Sequence, residues 1–312
     1  MSLQEYLKEE RSSSWRVVLR SKIKNRERTQ LQRVVMNSLD PQIRNKNYQE
    51  VNLGLTAAQA VAEAQRCLDC VNPTCISGCP VEINIPKFIK NIERGEFIEA
   101  AKTLKETSAL PAVCGRVCPQ EKQCENQCFY VQKLNKPAVA IGHLERFAAD
   151  YERESGEITA PSIKESNGIK VAVVGSGPAG LSFAGDMAKE GFEVTIFEAL
   201  HELGGVLRYG IPEFRLPNYI VDTEIEVLAR MGVQFVKNCI VGKTLSYSDL
   251  QEMGFKGLFV ASGAGLPHFM HIPGENLNGV MSCNEYLTRI NLMNAADPES
   301  DTPAFKGKRV AV

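Results

Sequence analysis

The residues most able to do chemistry are eight cysteines gathered between positions 67 and 128 of the chain. They form two groups of four, Cys67-x2-Cys70-x4-Cys75-x3-Cys79-Pro80 and Cys114-x3-Cys118-Pro119-x4-Cys124-x3-Cys128. Thiolates are soft ligands, and several of them converging from looped backbone bind iron–sulfur clusters or zinc. The spacing therefore predicts that this stretch holds metal.

Two iron–sulfur clusters fit the cysteine spacing better than two zinc sites do. The first group differs from the bacterial ferredoxin pattern C-x2-C-x2-C-x3-C-P only in its longer middle spacer. Structural zinc is expected to use paired C-x2-C knuckles, whereas this sequence has one such pair, Cys67 and Cys70. We therefore predict two 4Fe-4S clusters, with zinc as the chemical alternative.

Composition narrows the class of protein. A chain of 312 residues, 44% hydrophobic and 23% charged, predicts at least two globular domains. A net charge of −1 gives no sign of nucleic-acid binding, and no apolar run approaches the roughly 20 residues that span a membrane. The first residues lack the apolar core of a signal peptide. We therefore expect a cytoplasmic protein, whose reducing surroundings favour metal ligation over disulfides.

The elements that must position the cysteines are predicted to be helices. Thr56 and Gln59 form a capping-box pattern that predicts a helix from Ala57 to about Arg66, which delivers Cys67. Apolar residues at helical spacing, interrupted at Gly95, predict two short helices between the cysteine groups. A further helix is predicted over 141–153. Residues 1–155 are thus expected to form an all-α iron–sulfur domain.

A basic arm precedes this domain. Its cationic side chains are Arg16, Arg20, Lys22, Lys24, Arg26, Arg28 and Arg33. Interspersed acids such as Glu27 favour a solvated helical arm. The alternative interpretation is an electrostatic contact with a partner or an acidic carrier protein.

After a polar linker at 156–169, the pattern changes to strand–helix–strand. The run Lys170-Val-Ala-Val-Val174 leads into a glycine loop, Gly175-Ser-Gly177-Pro178-Ala179-Gly180, and a second strand ends at Glu198. Such a loop turns at its first glycine, admits a pyrophosphate at its second and lets helix pack on strand at its third. A helix N-terminus then faces the phosphates. The sequence predicts an α/β Rossmann-like dinucleotide-binding domain over 170–306.

The acid at the end of the second strand selects among dinucleotides. Glu198 suits an unphosphorylated ribose, as in FAD or NAD. A flavin accepts a hydride and releases single electrons, which a cluster can take up, so FAD is favoured beside the clusters. A later buried strand around Leu258 ends near Gly263, which we expect to lie close to the cofactor.

The last residues echo the first strand of this domain. Lys308-Arg-Val-Ala-Val312 repeats the pattern of Lys170-Val-Ala-Val-Val174. We interpret 307–312 as the first strand of an NAD(P)H-binding domain that continues past the chain, which would leave the FAD domain incomplete. On that interpretation FAD is held weakly and the chain alone is inactive.

Six motifs carry a resemblance to a known family: RCLDC, CPVEINIP, LPAVCGRVCPQEKQCE, VAVVGSGPAGL, GGVLRYGIPEFRLP and VASGAG. From about residue 20 onward the chain resembles the small subunit of NADPH-dependent glutamate synthase. It is also similar to the large subunit of ferredoxin:NADP transhydrogenases and to the N-terminal part of dihydropyrimidine dehydrogenase. The resemblance implies electron flow from NADPH through FAD and two 4Fe-4S clusters to a redox partner, such as the glutamate synthase large subunit.

The resemblance also implies a crossed ligand set. The first cluster would take Cys67, Cys70, Cys75 and Cys128. The second would take Cys79, Cys118, Cys124 and the carboxylate of Glu145. The alternative keeps the remaining Cys114 as a ligand and leaves Glu145 as a surface charge.

Three further expectations concern the flavin and the remaining thiols. In the family, the segment with Gly204 and Gly205 runs beside the flavin, and Arg215 offsets charge on a phosphate or on the flavin unless it forms a surface salt bridge. Cys239 and Cys283 are expected to be buried free thiols. Rival functions are a transhydrogenase or sulfide dehydrogenase subunit, or a non-catalytic cluster-bearing interaction module.

Overall fold

The computed structural model describes residues 3–297, 299–304 and 307–312. The predicted domain limits at residues 1 and 306 lie outside them. The chain divides into two compact units, one up to Ser162 and one from Ile163 onward. The predicted linker, 156–169, is therefore divided between the two units. Its last part belongs to the second unit, where the Lys164 amide donates a hydrogen bond to the Lys189 carbonyl (3.0 Å) and the Asn167 amide donates one to the Gly191 carbonyl (3.0 Å).

The first unit is helical, as predicted. Its helices are α1 Leu3–Arg11, α2 Ser14–Lys22, α3 Asn25–Arg28, α4 Pro41–Arg44, α5 Ala57–Ala64, α6 Thr74–Ser77, α7 Ile85–Glu93, α8 Phe97–Lys105, α9 Pro111–Val117, α10 Phe129–Leu134 and α11 Ile141–Ser155, with a 3-10 turn at Gln120–Lys122. Its core contains fully buried apolar side chains from the longer helices, such as Ile92, Leu104 and Leu144.

Local sequence signals fix the start and break of these helices. The Thr56 hydroxyl accepts a hydrogen bond from the Gln59 amide, and the Gln59 side chain accepts one from the Thr56 amide, so the capping box is confirmed. Gly95 has a positive φ of 86° and separates α7 from α8. The sequence does not predict the short helices α9 and α10, because segments of seven and six residues show little apolar periodicity.

The basic arm is not solvated as expected. Arg16, Arg28 and Arg33 form ion pairs with Asp69, Glu93 and Glu125, respectively. The Arg16 and Arg28 residues are 2% and 0% exposed. The prediction of a solvated arm is wrong for these residues because each guanidinium finds a buried carboxylate far along the chain, a pairing that local charge patterns do not reveal.

The second unit is α/β. Its elements are β1 Lys170–Val174, α12 Pro178–Lys189, β2 Glu193–Phe197, α13 Val206–Tyr209, α14 Asn218–Arg230, β3 Gln234–Val236, α15 Tyr247–Glu252, β4 Phe255–Val260 and α16 Cys283–Asn291. The four strands are parallel in the order β3-β2-β1-β4. Since β1 is central, with β2 and β4 on either side, the glycine loop that follows it lies at the carboxyl edge of the sheet.

Two strand expectations differ from the structure. The later strand, β4, is not buried, because it forms an edge of the sheet and leaves Leu258 36% and Val260 65% exposed. Residues 307–312 form no strand, and Val310 is 75% exposed. A strand needs a neighbour to satisfy its backbone hydrogen bonds, and residues 307–312 pair with no other segment among those described.

In the described part of the chain, no helix has the length and apolar character that crossing a membrane requires.

Candidate cluster and flavin sites

Four cysteines from the two groups line one cavity in the first unit. They are Cys67, Cys70, Cys75 and Cys128. Cys67 and Cys70 follow α5, Cys75 lies on α6 and Cys128 caps the N-terminus of α10. Apolar side chains such as Ile89 complete the wall. The structure thus brings together the crossed set that the resemblance implies for the first cluster.

Burial favours the neutral form of the Cys67, Cys70 and Cys75 thiols unless a cation is present. Burial raises the pKa of Cys67 and, to well above its usual value, that of Cys75. Burial, followed by repulsion from Cys67 and Cys128, raises the pKa of Cys70 to about 12. A bound metal deprotonates a coordinating thiol outright. The chemistry of this donor set therefore fits an iron–sulfur cluster, whose iron supplies the missing positive charge.

Two polar residues that sequence analysis did not identify hold the backbone beside the first cavity. Lys90 is fully buried on α7 and donates a hydrogen bond to the Cys67 carbonyl (2.6 Å), while it pairs with Glu93. The Tyr130 hydroxyl donates to the Arg66 carbonyl (2.8 Å). The available signal was a lysine within the apolar run of α7. These contacts fix the backbone on both sides of the cysteine loop.

The second predicted ligand set also comes together. Burial, then the charges of Glu145 and Cys79, raise the pKa of Cys118 to about 11. The pKa of Cys124 is raised by burial, followed by Glu145 and other neighbouring charges that include Cys79 and Cys118. All four predicted groups therefore lie within electrostatic reach of one another. Such a set, three thiols and one carboxylate, can donate four ligands to a cluster.

The position of Glu145 decides against one alternative. Its side chain lies on α11 and the residue is only 5% exposed, so it is not a surface charge. Cys114 is half-buried on α9, its carbonyl accepts hydrogen bonds from the Cys118 amide and the Gln120 side chain, and its side chain does not line the first cavity. In the described ranges, no three His, Cys, Asp or Glu side chains converge tightly enough to hold a single metal ion.

The glycine loop has the geometry expected of a phosphate cradle. Gly175 has a φ of 100°, and a Cβ atom there would collide with the Ala261 carbonyl oxygen. A Cβ atom at Gly180 would collide with the Gly175 carbonyl oxygen, so helix α12 packs directly on the loop. Gly177 caps α12 and faces open space. Pro178, which has no N–H group, and Ala179 begin α12, whose first turn leaves backbone amides such as that of Ala179 without an intrahelical acceptor and so available to an anion.

Ser176, which the sequence did not single out, connects the loop to its surroundings. Glu198 Oε2 accepts hydrogen bonds from the Ser176 amide (2.8 Å) and hydroxyl (2.5 Å), and Glu198 Oε1 accepts one from the Leu200 amide (2.8 Å). The Ser176 hydroxyl in turn accepts from the Gly204 amide (3.0 Å). Glu198 thus organises the loop, in addition to the ribose contact predicted for it.

The other residues predicted to lie near the flavin also belong to the second unit. A Cβ atom at Gly205 would lie 2.8 Å from Gly177 Cα, so this glycine allows close approach to the phosphate loop. Arg215 is exposed and, among the described residues, shows no ion pair. Gly263 follows β4 with a φ of 70° and open space around it. Cys239 is buried as expected, whereas Cys283 is exposed at the start of α16.

Comparison with known proteins assigns each unit. Residues 44–157 match the family described as dihydropyrimidine dehydrogenase domain II, 4Fe-4S cluster. Residues 169–312 match the pyridine nucleotide-disulphide oxidoreductase family. The iron–sulfur domain and the dinucleotide-binding domain predicted from the sequence are therefore confirmed as family assignments.

Similar proteins align with most of this chain. The NAD-dependent dihydropyrimidine dehydrogenase subunit PreT of Escherichia coli K12 is 41% identical over 72% of this chain and 55% of its own length. The glutamate synthase [NADPH] small chain of the same strain is 34% identical over 90% of this chain and 60% of its own length. That of Azospirillum brasilense is 31% identical over 86% and 56%.

The chain spans about half the length of these relatives. Its two units match the two families in the order predicted, and the similarity to the relatives extends over most of both units. The chain therefore carries a 4Fe-4S domain of the dihydropyrimidine dehydrogenase domain II family followed by a pyridine nucleotide-disulphide oxidoreductase domain, and it is a homologue of glutamate synthase small chains and dihydropyrimidine dehydrogenase PreT subunits.

Proposed function

We propose that this chain is the electron-input part of an oxidoreductase that takes electrons from NAD(P)H and delivers them to a partner subunit. When bound, FAD would accept a hydride and two 4Fe-4S clusters would carry single electrons onward. The observation that carries the proposal is the grouping of eight candidate ligands into two sets in the first unit, together with a phosphate cradle in the second.

The protein's own residues have separable roles in this scheme. Cys67, Cys70, Cys75 and Cys128 would hold one cluster in an apolar cavity that excludes water. Cys79, Cys118, Cys124 and Glu145 would hold the other. Exclusion of water and fixed hydrogen bonds to the ligand loops set the reduction potential of such a cluster.

The glycine loop and Glu198 would hold FAD. The free amides at the start of α12 would bind the pyrophosphate. Ser176 and Leu200 occupy three of the roughly four acceptor positions of the Glu198 carboxylate, and the position left on Oε1 would accept a ribose hydroxyl. NAD(P)H would supply the hydride that FAD accepts. A cytoplasmic location suits this chemistry because a reducing compartment protects thiolate ligands.

For the electron acceptor we propose the glutamate synthase large subunit, since two small chains of that enzyme align with 86–90% of this chain. The PreT relatives favour a second candidate, the catalytic subunit of a dihydropyrimidine dehydrogenase, because their identity is higher, at 40–41%. The two kinds of relative also differ in the nicotinamide cofactor that they are named for: NADPH for the glutamate synthase small chain and NAD for PreT. Both NADPH and NADH are therefore candidate electron donors.

The test uses protein expressed anaerobically at its full natural length. We expect bound flavin, iron and sulfide for two clusters, and dye reduction by NADPH or NADH. Cys75→Ser should abolish electron delivery to an added partner, whereas Cys283→Ser, at an exposed thiol, should leave it intact. Protein that is loaded with flavin and clusters yet reduces no dye would show that it is a cluster-bearing module and not an enzyme.

Electron delivery to each purified partner then separates the acceptors. Glutamine-dependent glutamate formation with the large subunit would support the first candidate. Pyrimidine turnover with a dihydropyrimidine dehydrogenase catalytic subunit, and no glutamate formation, would overturn it in favour of the second.

A further inference from the structure

The loop between the first two cysteines contains a buried acid with unusual backbone. Asp69 lies between Cys67 and Cys70, is 0% exposed and has a positive φ of 51°. A non-glycine residue seldom adopts this conformation, and a buried carboxylate is costly unless cations pair with it. Something outside the loop must therefore hold Asp69 in place.

The N-terminal helices supply that support. Arg16 donates to both oxygens of the Asp69 carboxylate and is itself 2% exposed. Arg20 pairs with Asp69 Oδ2, while Arg11 donates to the Asp69 carbonyl oxygen (2.8 Å). Arg20 also donates to the Arg11 carbonyl (2.9 Å), which ties the three arginines into one unit.

A second contact from the same helices reaches the other side of the loop. Arg28 is fully buried and pairs with Glu93, which also pairs with Lys90. Lys90 donates to the Cys67 carbonyl. Helices α1–α3 thus bind the first cysteine loop at Asp69 directly and at Cys67 through two intermediates.

The second ligand set lies among acids. Glu145 belongs to it, Glu125 directly follows Cys124 in the chain, and among the arginines of the arm it is Arg33, beyond α3, that pairs with Glu125 (2.9 Å). Helices α1–α3 lie outside the matched iron–sulfur family segment, which begins at residue 44. Their contacts therefore add to the first site a feature that the family assignment does not include.

We propose that Arg16 and Arg20 are positioning residues for the first cluster, acting through Asp69. They hold the Cys67–Cys70 loop in its ligating conformation and place positive charge beside this cluster and not beside the second. The inference rests on the proposed function only in assuming that the first cavity holds a cluster. Since added electrons are stabilised by nearby positive charge, the arginines make the first cluster easier to reduce.

The test compares variants of the full chain after anaerobic reconstitution with ferrous iron and sulfide. Cys75→Ser and Cys79→Ser first identify the electron paramagnetic resonance signals of the first and second clusters. In Arg16→Gln/Arg20→Gln we expect either loss of the first cluster's iron alone or a negative shift of its midpoint potential. Arg26→Gln removes an exposed charge from the same arm and should change neither cluster.

The Asp69→Asn variant distinguishes an effect of charge on the cluster's potential from an effect of looser packing around the loop. This variant removes a negative charge and also the carboxylate that the arginines hold, so we expect either loss of the first cluster's iron alone or a positive shift of its midpoint potential, opposite to the shift in the arginine variants. Shifts of the same sign in both, equal changes in both clusters, or no change would overturn the proposal. If the double variant does not fold, Arg20→Gln alone, at a side chain 19% exposed, provides the same comparison.

The same measurement distinguishes failure of the proposed function from failure of the proposed role of Arg16 and Arg20. Chemical reduction with dithionite requires neither NAD(P)H nor a partner. Wild-type protein without two clusters would overturn the proposed function and this inference together. Wild-type protein with two clusters, beside unaffected variants, would overturn the inference alone.

Discussion

Gly115 of α9 packs against the backbone of Arg146 on α11, so closely that a Cβ atom at position 115 would lie 2.5 Å from the Arg146 nitrogen. Arg146 directly follows Glu145 in the chain. The contact therefore sets how near the Glu145 carboxylate comes to Cys118, which follows α9. Arg116 reinforces it by pairing with Asp150 of α11 (2.8 Å).

Gly115→Ala should disrupt the second cluster and spare the first. The added methyl group forces α9 and α11 apart, at a cost of about 1–3 kcal/mol in unfolding free energy. Thermal melts and iron content measure the two effects. Gly265→Ala, where a Cβ atom meets nothing within 4 Å, is the matched control and should melt like the wild type. A variant that is destabilised yet keeps both clusters would contradict the link between this contact and Glu145.

Glu145→Ala should remove the iron of the second cluster while the first is retained. We expect this because Glu145, a buried carboxylate whose charge acts on two of the three thiols, is the proposed fourth ligand. Glu154→Ala, an exposed acid on the same helix, serves as the control. Iron and sulfide analysis with cluster spectra measures the outcome, and unchanged spectra would remove Glu145 from the ligand set.

The sequence predicted well whatever depends on neighbours along the chain. The Thr56 cap, the break at Gly95 and the strand–loop–helix around Gly175 each follow from a few adjacent residues. The resemblance added the crossed cysteine set, which spacing alone leaves open.

Contacts between distant segments could not be predicted. Arg16 and Asp69 are 53 residues apart, and only folding brings this guanidinium out of solvent to a particular carboxylate. Ser176 escaped notice because a serine inside a glycine loop has no distinguishing pattern, although it joins Glu198 to Gly204. The exposure of β4 depends on its place at the sheet edge, which its apolar sequence does not reveal.

Crossed ligation predicts that two thiols, Cys128 and Cys79, each serve the cluster of the other cysteine group. Cys128→Ser should damage the first cluster although it belongs to the second cysteine group, and Cys79→Ser should damage the second cluster although it belongs to the first group. The physical reason is that Cys128 lines the same cavity as Cys67, whereas the charge of Cys79 contributes to the raised pKa of Cys118. Cluster-resolved spectra measure this.

Cys114→Ser is the control for that comparison, and we expect it to keep both clusters. Its side chain does not line the first cavity, and Glu145 completes the second set in its place. If Cys128→Ser and Cys79→Ser each damaged only the cluster of their own sequence group, uncrossed ligation would be correct.

Gly177→Ala should weaken flavin binding without weakening the fold. Gly177 has a φ of −68° and a Cβ atom there meets nothing within 4 Å, so alanine fits the unliganded chain. The methyl group would occupy the space through which a pyrophosphate approaches the loop, and we expect an affinity loss of about tenfold, or about 1.4 kcal/mol. Gly175→Ala, by contrast, should lower the melting temperature, because a positive φ and the Ala261 carbonyl exclude a side chain. Flavin titration and thermal melts of both variants measure the difference, and undiminished flavin affinity in Gly177→Ala would show that the phosphates do not contact this loop.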